Sequence, residues 1–363
     1  MILEMHLGFK IMKDKLNSYQ NKNVFITGHT GFKGTWLTSI LCDLGANVMG
    51  YSLEPEGNSH FNLMGLDKKI KHIIGDIRNS EKLKNSMKSF KPDYVFHLAA
   101  QALVKQSYED PVETFDVNIM GSVNLLDAVK ECGSVKSLVY ITSDKCYENV
   151  EWEWGYREND RLGGFDPYSS SKAAAELVFS AYSRSFFSSN KKLGYASVRA
   201  GNVIGGGDYS DNRIIPDCIR AINSNKPITL RNPNATRPWQ HVLEPLSGYL
   251  LLGLNLYSNP KKYSGSWNFG PSTFETRTVK EVAEIVVKYF KKGKIIIENS
   301  ADFHEAQLLQ LNCDKANQIL GWFPRWTVEE TLNETARWYK EVINGTDPYE
   351  ITMNQIKKYF NHD

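Results

Sequence analysis

The chain has 363 residues, 41 % of them hydrophobic, and sets 43 Lys and Arg against 41 Asp and Glu for a formal net charge of +2. That length exceeds an ordinary single domain and supplies ample apolar material for a core. The near-balanced charge gives no electrostatic case for nucleic acid or a membrane surface, and an enzyme of small molecules fits better. Five cysteines, Cys42, Cys132, Cys146, Cys218 and Cys313, stand far apart without a CxxC pair, so a reduced cytoplasmic protein with no cysteine-built metal site is expected.

Residues 1–20, MILEMHLGFKIMKDKLNSYQ, carry too many charges and too short an apolar run for a secretory signal. They are expected to be a frayed leader or a short amphipathic helix, with Met12 a conceivable natural start. No later run approaches the ~20 apolar residues that a membrane span requires. Strand and helix patterns then alternate, which predicts an α/β fold built on a doubly wound parallel sheet. Strands are expected at 23–27, 46–52, 70–76, 92–100, 136–142 and 194–205. Helices are expected at 35–45, closed by Gly45, at SEKLKNSMKSF, at 117–131, and at 167–186 with Pro167 in its favoured place near the start. Beyond about residue 201 the texture turns to Gly-rich loops, prolines and Trp-bearing segments, which suggests a smaller lobe over the sheet's carboxyl edge. The tail from about 346 reads as a peripheral appendage.

Strand NVFIT runs into Gly28-His-Thr-Gly31-Phe-Lys-Gly34 and then directly into a helix. Glycines in that setting let a pyrophosphate approach the free amides of a helix start without meeting a Cβ. An acidic residue often closes the second strand to bind the adenosine ribose, yet here the strand ends in Tyr51, Ser52 and Leu53 with Glu54 beyond. NAD and NADP therefore both stay open on the residues alone, with Lys33 and Arg78 either reaching a 2′-phosphate or serving blander roles. Asp76, in GDIR, suits either the adenine edge or a strand-end cap.

Tyr168 and Lys172 lie four apart at a helix start and so share a face. A cation beside a tyrosine can pull its pKa below the ordinary value near 10, making it a proton acceptor for a sugar hydroxyl. Ser143, Asp144 and Lys145 follow an apolar strand in VYITSDKCY, at the edge where ligand crevices form.

These stretches, TGHTGFKG, LAAQ, TSDKCY, YSSSK and RAGNVIGGGD, resemble the extended short-chain dehydrogenase/reductase family of nucleotide-sugar enzymes over nearly all the chain after residue 20. ITSDKCYEN, EWGYREND, RPWQHVLEPLSGYL and WNFGP are similar to its 4,6-dehydratase branch. The resemblance implies a Rossmann domain at 21–200 holding NAD, with 239–262 returning to it, and a sugar-nucleotide domain at 201–238 and 263–345. It also implies a homodimer formed by the helices around 117–131 and 168–186, and a nucleotide-sugar substrate. Gly28, Thr30, Gly31, Phe32, Lys33, Gly34, Asp76, Ile77, Leu98, Ala99 and Ala100 would line the cofactor.

In such a reaction carbon 4 is oxidised, water leaves across carbons 5 and 6, and hydride returns to carbon 6. Tyr168 would take the 4-hydroxyl proton, Lys172 would hold the nicotinamide ribose, Ser143 would bond the same oxygen, and Asp144 would protonate the departing 6-oxygen. Lys145 stands where the dTDP-glucose dehydratases of the family carry a glutamate base. It would act either as a neutral base at carbon 5 or as a fixed cation on the developing enolate.

Arg213, Arg231 and Arg237 are expected on the substrate diphosphate, whose oxygens suit guanidinium forks. Gln101, Asn118 and Asn202 are expected on the substrate side, with a helix cap the competing role for Asn118. His241 is expected to be a packed histidine. The aromatic insert at 151–156 is expected either at the mouth of the site or at a seam. A 4-epimerase shares the tyrosine and lysine but needs no acid for water loss. A dinucleotide-sensing module without catalysis would not require the Tyr-Lys pair.

Overall fold

A computed structural model describes residues 15–272, 276–298 and 308–360. Seven parallel strands, β1 Asn23–Thr27, β2 Asn47–Ser52, β3 Lys71–Ile74, β4 Tyr94–His97, β5 Ser137–Ile141, β6 Gly194–Arg199 and β7 Gly265–Asn268, form one sheet in the order β7-β6-β5-β4-β1-β2-β3. The reversal of order between β1 and β4 opens a crevice at the carboxyl ends of those strands, where doubly wound sheets bind ligands.

The inner strands carry apolar residues on both faces, as a sheet covered on both sides requires, while the edge strand β3 leaves Lys71 and Ile74 exposed. Val24, Ile26, Phe96, Val139 and Val198 belong to one core layer, while Phe25, Val95, Leu138 and Tyr140 belong to the other. The first layer packs under α1 Phe32–Asp43, which contributes Trp36, Leu37 and Ile40. The second lies against α2 Ser80–Phe90, α3 Gly121–Glu131 and α4 Pro167–Tyr182, with Met87, Leu126 and Phe179 buried there. Helix α4 starts where it does because Asp166 caps it: its Oδ1 accepts from Ser169 N at 2.9 Å, and Pro167 supplies the preset first residue. Both α3 and α4 adjoin a π-helical turn, at Asp116–Met120 and Ser183–Phe187, so the regular helices are shorter than the pattern suggested.

Helix α5 Leu243–Ser258 crosses back onto the first face, where the Ser137 hydroxyl donates to Gly253 O at 2.9 Å. Two further helices, α6 Val279–Phe290 and α7 Val328–Ile343, start on matching capping boxes, Thr278 with Glu281 and Thr327 with Glu330. A last helix, α8, spans Pro348–Phe360.

Three expectations change. Residues 265–268 fall inside the stretch assigned to the smaller lobe, but they pair with β6 as the seventh strand, with Trp267 fully buried. The tail is not peripheral: α8 buries Ile351 and Ile356, and its Tyr359 hydroxyl donates to the Glu244 carboxylate at 2.6 Å. Of the leader, residues 1–14 lie outside the described residues, while Leu16 and Tyr19 are buried rather than frayed, and the Tyr19 hydroxyl donates to Leu250 O at 2.8 Å.

Candidate active site

The glycine turn joins β1 to α1. Gly28 has φ 74°, and a Cβ there would stand 2.6 Å from Ala99 N, so this turn and the Leu98-Ala99-Ala100 loop after β4 touch through backbone alone. At Gly34 a Cβ would stand 2.1 Å from Gly28 O. Gly31 caps α1 without a side-chain hydrogen bond, and Thr35 N is the first amide of the helix to bond back, to Gly31 O at 2.8 Å, which leaves the amides of Phe32, Lys33 and Gly34 available for an anion. Thr30 bonds the Ser52 hydroxyl at 2.8 Å and so ties this turn to the end of β2. Together these features form a cradle that fits a dinucleotide pyrophosphate.

Arg78 is not available for a 2′-phosphate. Its guanidinium grips Asp76 at 2.6 Å and reaches Asp116 at 3.4 Å, and the Asp76 carboxylate also accepts from Arg78 N at 2.8 Å. That grip holds the Asp76 carboxyl below its usual range and makes Asp76 a cap of its own turn. Ile77 beside it is buried, directly under Gly121 of α3. The Lys33 ammonium is lowered to about 8, first by burial, then by Arg213, against the pull of Asp144 and Asp208. It therefore faces the catalytic end of the crevice rather than the adenosine ribose.

Strand β5 ends at Ile141 and breaks into a 3-10 turn, Asp144–Cys146, capped by the Ser143 side chain. The Ser143 hydroxyl donates to Asp144 Oδ1 at 2.9 Å and accepts from Lys145 N at 3.3 Å. Asp144 is 4 % exposed, and Asn202 donates to its Oδ2 at 3.4 Å. A Cβ at position 201 would sit 1.7 Å from Asp144 Oδ2, so only glycine lets β6's exit pass the acid. A small cavity opens there between Asp144, Gly201, Gln240, Gln310 and Leu311. Lys145, the next residue after Asp144, is half-buried.

Helix α4 brings Tyr168 and Lys172 against this turn. Tyr168 is pushed up to about 12 by burial, with the Ser143 hydrogen bond and Arg213 acting the other way. The expected depression below 10 is thus corrected: the Lys172 Nζ lies 5.8 Å from the Tyr168 ring centroid, and desolvation outweighs it. Lys172 is itself lowered to about 8 by burial and by Lys33, opposed by Cys146 and Glu176.

The substrate-side expectations divide. Arg213 joins the site through Asp208, Nη1 to Oδ2 at 2.7 Å. Arg231 is exposed and meets Asn212 at 3.3 Å, one residue from Arg213. Arg237 lies on a short ladder opposite Arg277. Gln101 and Asn118 are corrected from ligand contacts to scaffold. Asn118 is 2 % exposed and its amide is spent on Gln101 N, Gln101 O and the Ser171 hydroxyl. Gln101 spends its own amide on Thr114 and Leu103. His241 is fully buried between Trp36 and Trp326 and lowered to about 3 by that burial, a packed histidine as expected. The aromatic insert packs at a seam, where Tyr156 N donates to Gln310 O and Asn312 N to Tyr156 O, each at 2.9 Å, while Trp154 projects 70 % exposed.

Sequence reasoning passed over Glu176, Arg199 and Gly201. The signal for Glu176 was present: it stands four residues after Lys172 on the same helix face.

A family model described as GDP-mannose 4,6 dehydratase matches residues 25–335. The chain belongs to that family. Within the GDP-mannose 4,6-dehydratase family it is similar to the CDP-glucose 4,6-dehydratase of Salmonella typhimurium, 49 % identical over 354 residues, 96 % of this chain and 98 % of the relative. The solved dTDP-glucose 4,6-dehydratase of Streptomyces venezuelae, with NAD bound, shares the fold at a TM-score of 0.77 and 21 % identity, covering 90 % of this chain and 99 % of that one. The UDP-glucose 4-epimerase of Thermus thermophilus, also solved with NAD, superimposes with a TM-score of 0.76 at 26 % identity, covering 88 % of this chain and 99 % of that one.

Proposed function

We propose that this chain is an NAD-dependent CDP-glucose 4,6-dehydratase that makes CDP-4-keto-6-deoxyglucose. The observation that carries the reaction type is the meeting of an acid-bearing turn, Ser143-Asp144-Lys145, with the Tyr168 and Lys172 face of α4 at the carboxyl end of β5. Likeness to the Salmonella typhimurium enzyme supports cytidine as the base and deoxysugar formation as the outcome; supply of a surface polysaccharide is the setting we propose for it.

When bound, NAD accepts the carbon-4 hydride and returns it to carbon 6, and its oxidised ring adds positive charge of the sign that favours a tyrosinate. The protein's own work begins at the 4-hydroxyl, whose proton passes to Tyr168 Oη while Ser143 bonds the same oxygen. Lys172, on the same helix face, would bond the ribose and hold its positive charge near the phenol. Once carbon 4 is a ketone, the carbon-5 proton becomes acidic; Lys145 takes it as a neutral amine, or holds the enolate as a cation while another group is the base, and the same base returns a proton to carbon 5 when the hydride adds at carbon 6. Asp144, in its acid form, gives a proton to the 6-oxygen, which leaves as water into the cavity beside Gln240 and Gln310.

Gly28, Gly31 and Gly34 cradle the pyrophosphate of the cofactor, and Arg213, backed by Arg231 and Arg237, takes the diphosphate of the substrate. The division into a cofactor part, a sugar-nucleotide part and a returning α5 is part of this reading. So is a homodimer through α3 and α4, which pack side by side. Met120, Leu177 and Phe186 leave 49 %, 59 % and 46 % of their surface exposed on or beside those helices, and Val112 leaves 77 %. No helix among the described residues is long and apolar enough to cross a membrane; a cytoplasmic place is proposed from the five unpaired cysteines.

The test is incubation with CDP-, dTDP-, GDP- and UDP-glucose and GDP-mannose, followed by detection of a 4-keto-6-deoxy sugar in alkali. CDP-glucose should react at least roughly a hundred-fold better by kcat/KM, the scale expected where a site hydrogen-bonds a base edge. Formation of only the carbon-4 epimer would replace the reading with an epimerase.

A further inference from the structure

Glu176 lies one turn beyond Lys172 on α4 and is 2 % exposed. Its carboxylate takes four donors. Thr142 Oγ1 at 2.5 Å and Arg199 Nε at 3.0 Å reach Oε1; Ser197 Oγ and Arg199 Nη2, both at 2.8 Å, reach Oε2. Arg199, 2 % exposed at the end of β6, donates its Nη1 to the Tyr147 hydroxyl at 2.6 Å and to Glu158 O at 2.9 Å, and its Nη2 also to Ser266 Oγ at 3.2 Å. Burying such a pair gains little stability over an apolar replacement, because desolvation offsets the attraction. A fully satisfied buried network does fix geometry.

What it fixes is specific. Thr142 immediately precedes Ser143 and Asp144, and Tyr147 immediately follows the Asp144–Cys146 turn, so the ion pair holds both ends of that turn. Its acid is carried by the helix that presents Tyr168 and Lys172. We propose that Glu176 and Arg199 are positioning residues that set the register of the Tyr168-Lys172 helix against the Ser143-Asp144-Lys145 turn. Glu176 also supports the ammonium of Lys172. The groups facing that ammonium are Lys33 from the glycine turn, Cys146 from the catalytic turn, His97 from β4 and Glu176 itself, and Glu176 is a carboxylate held ionised by Arg199. The proposal rests on Tyr168, Lys172 and Asp144 being the reacting groups.

Thr142→Val, Thr142→Ser and Glu176→Gln in the full chain test it. Thr142→Val removes one donor and no charge; it should lower kcat roughly ten-fold, as small misplacements of reacting groups do, while KM for CDP-glucose stays within about two-fold. Thr142→Ser should restore the rate. Glu176→Gln should move the alkaline limb of the kcat–pH profile toward neutral pH, because Lys172 loses the anion that keeps it protonated. Thermal midpoints and circular dichroism of each variant separate this from a loss of folded protein, and should Glu176→Gln not fold, the Thr142 pair decides alone. Wild-type kcat in Thr142→Val, a loss that Thr142→Ser leaves uncorrected, or an unshifted pH profile in folded Glu176→Gln would overturn the proposal. Tyr168→Phe is the separate control: turnover there would sink the reading of the reacting groups, whatever Thr142 does.

Discussion

At the scale of single residues, the site is decided by what burial does to charge. Tyr168 is raised to about 12 and Lys172 lowered to about 8, both chiefly by desolvation. Burial thus favours a neutral phenol beside a lysine that gives up its proton more readily, and in the proposed mechanism removal of the 4-hydroxyl proton needs positive charge next to Tyr168. In the proposed mechanism the elimination turns on Lys145. Lys145→Met should oxidise substrate at carbon 4 and then stall, leaving reduced cofactor on the enzyme in a single-turnover experiment. Lys145→Glu should keep eliminating if the position serves as a base, with a rate loss of roughly ten- to a hundred-fold as for a displaced general base. Full turnover by Lys145→Met would remove both roles.

Glu244 gives a second prediction at this scale. Burial raises its carboxyl from 4.5 to about 7 although Tyr359, Trp326 N and Arg325 N all donate to it. A folded-state pKa above the unfolded one means that the folded chain binds the extra proton, so this contribution is full below about 4.5 and is lost as pH rises through about 7. Urea unfolding at pH 5.5 and pH 8 should show wild type losing about 1–3 kcal/mol more than Glu244→Gln over that interval. Parallel pH dependences in the two proteins would contradict it.

At the scale of elements, what was legible from the sequence was whatever a local pattern carries. Strand β1 came out residue for residue, because NVFIT is a short apolar run stopped by Gly28. The start of α4 was legible for the same kind of reason, with Pro167 announcing the first turn. The ends of α3 and α4 were not, since a π-helical turn keeps nearly the same periodicity as the helix it adjoins. Asn118 was misread because its partners, Gln101 and Ser171, come from two other segments that no local spacing reveals. The pull on Tyr168 was misjudged likewise: spacing places Lys172 on its face, but burial depth is set by the whole fold. The exposed side chain of Leu177 on α4 gives this scale its test. Leu177→Glu should convert the proposed dimer to monomer in sedimentation while leaving the fold intact; an unchanged assembly, or a wild-type monomer, would contradict the proposed interface.

At the scale of the molecule, late chain completes early chain. Strand β7 extends the sheet beyond β6, α5 closes one face, and α8 docks through Tyr359 onto Glu244 of α5. The contacts of α5 with β5 and of α8 with α5 join residues more than a hundred positions apart, which is why the tail looked peripheral in the sequence and is packed in the fold. The crevice is assembled from segments spread over most of the chain: the glycine turn at 28–34, the acid turn at 143–145, the Tyr-Lys helix at 168–172 and the region from 213 onward proposed for the substrate diphosphate. Their shared purpose, in this account, is that one hydride leaves carbon 4 and comes back at carbon 6 without exchanging with solvent. Supplying CDP-glucose deuterated at carbon 4 and reading the product by nuclear magnetic resonance tests that directly. Deuterium should appear in the carbon-6 methyl group of a 4-keto product; deuterium retained at carbon 4, on an epimerised hexose, would rule the internal hydride transfer out.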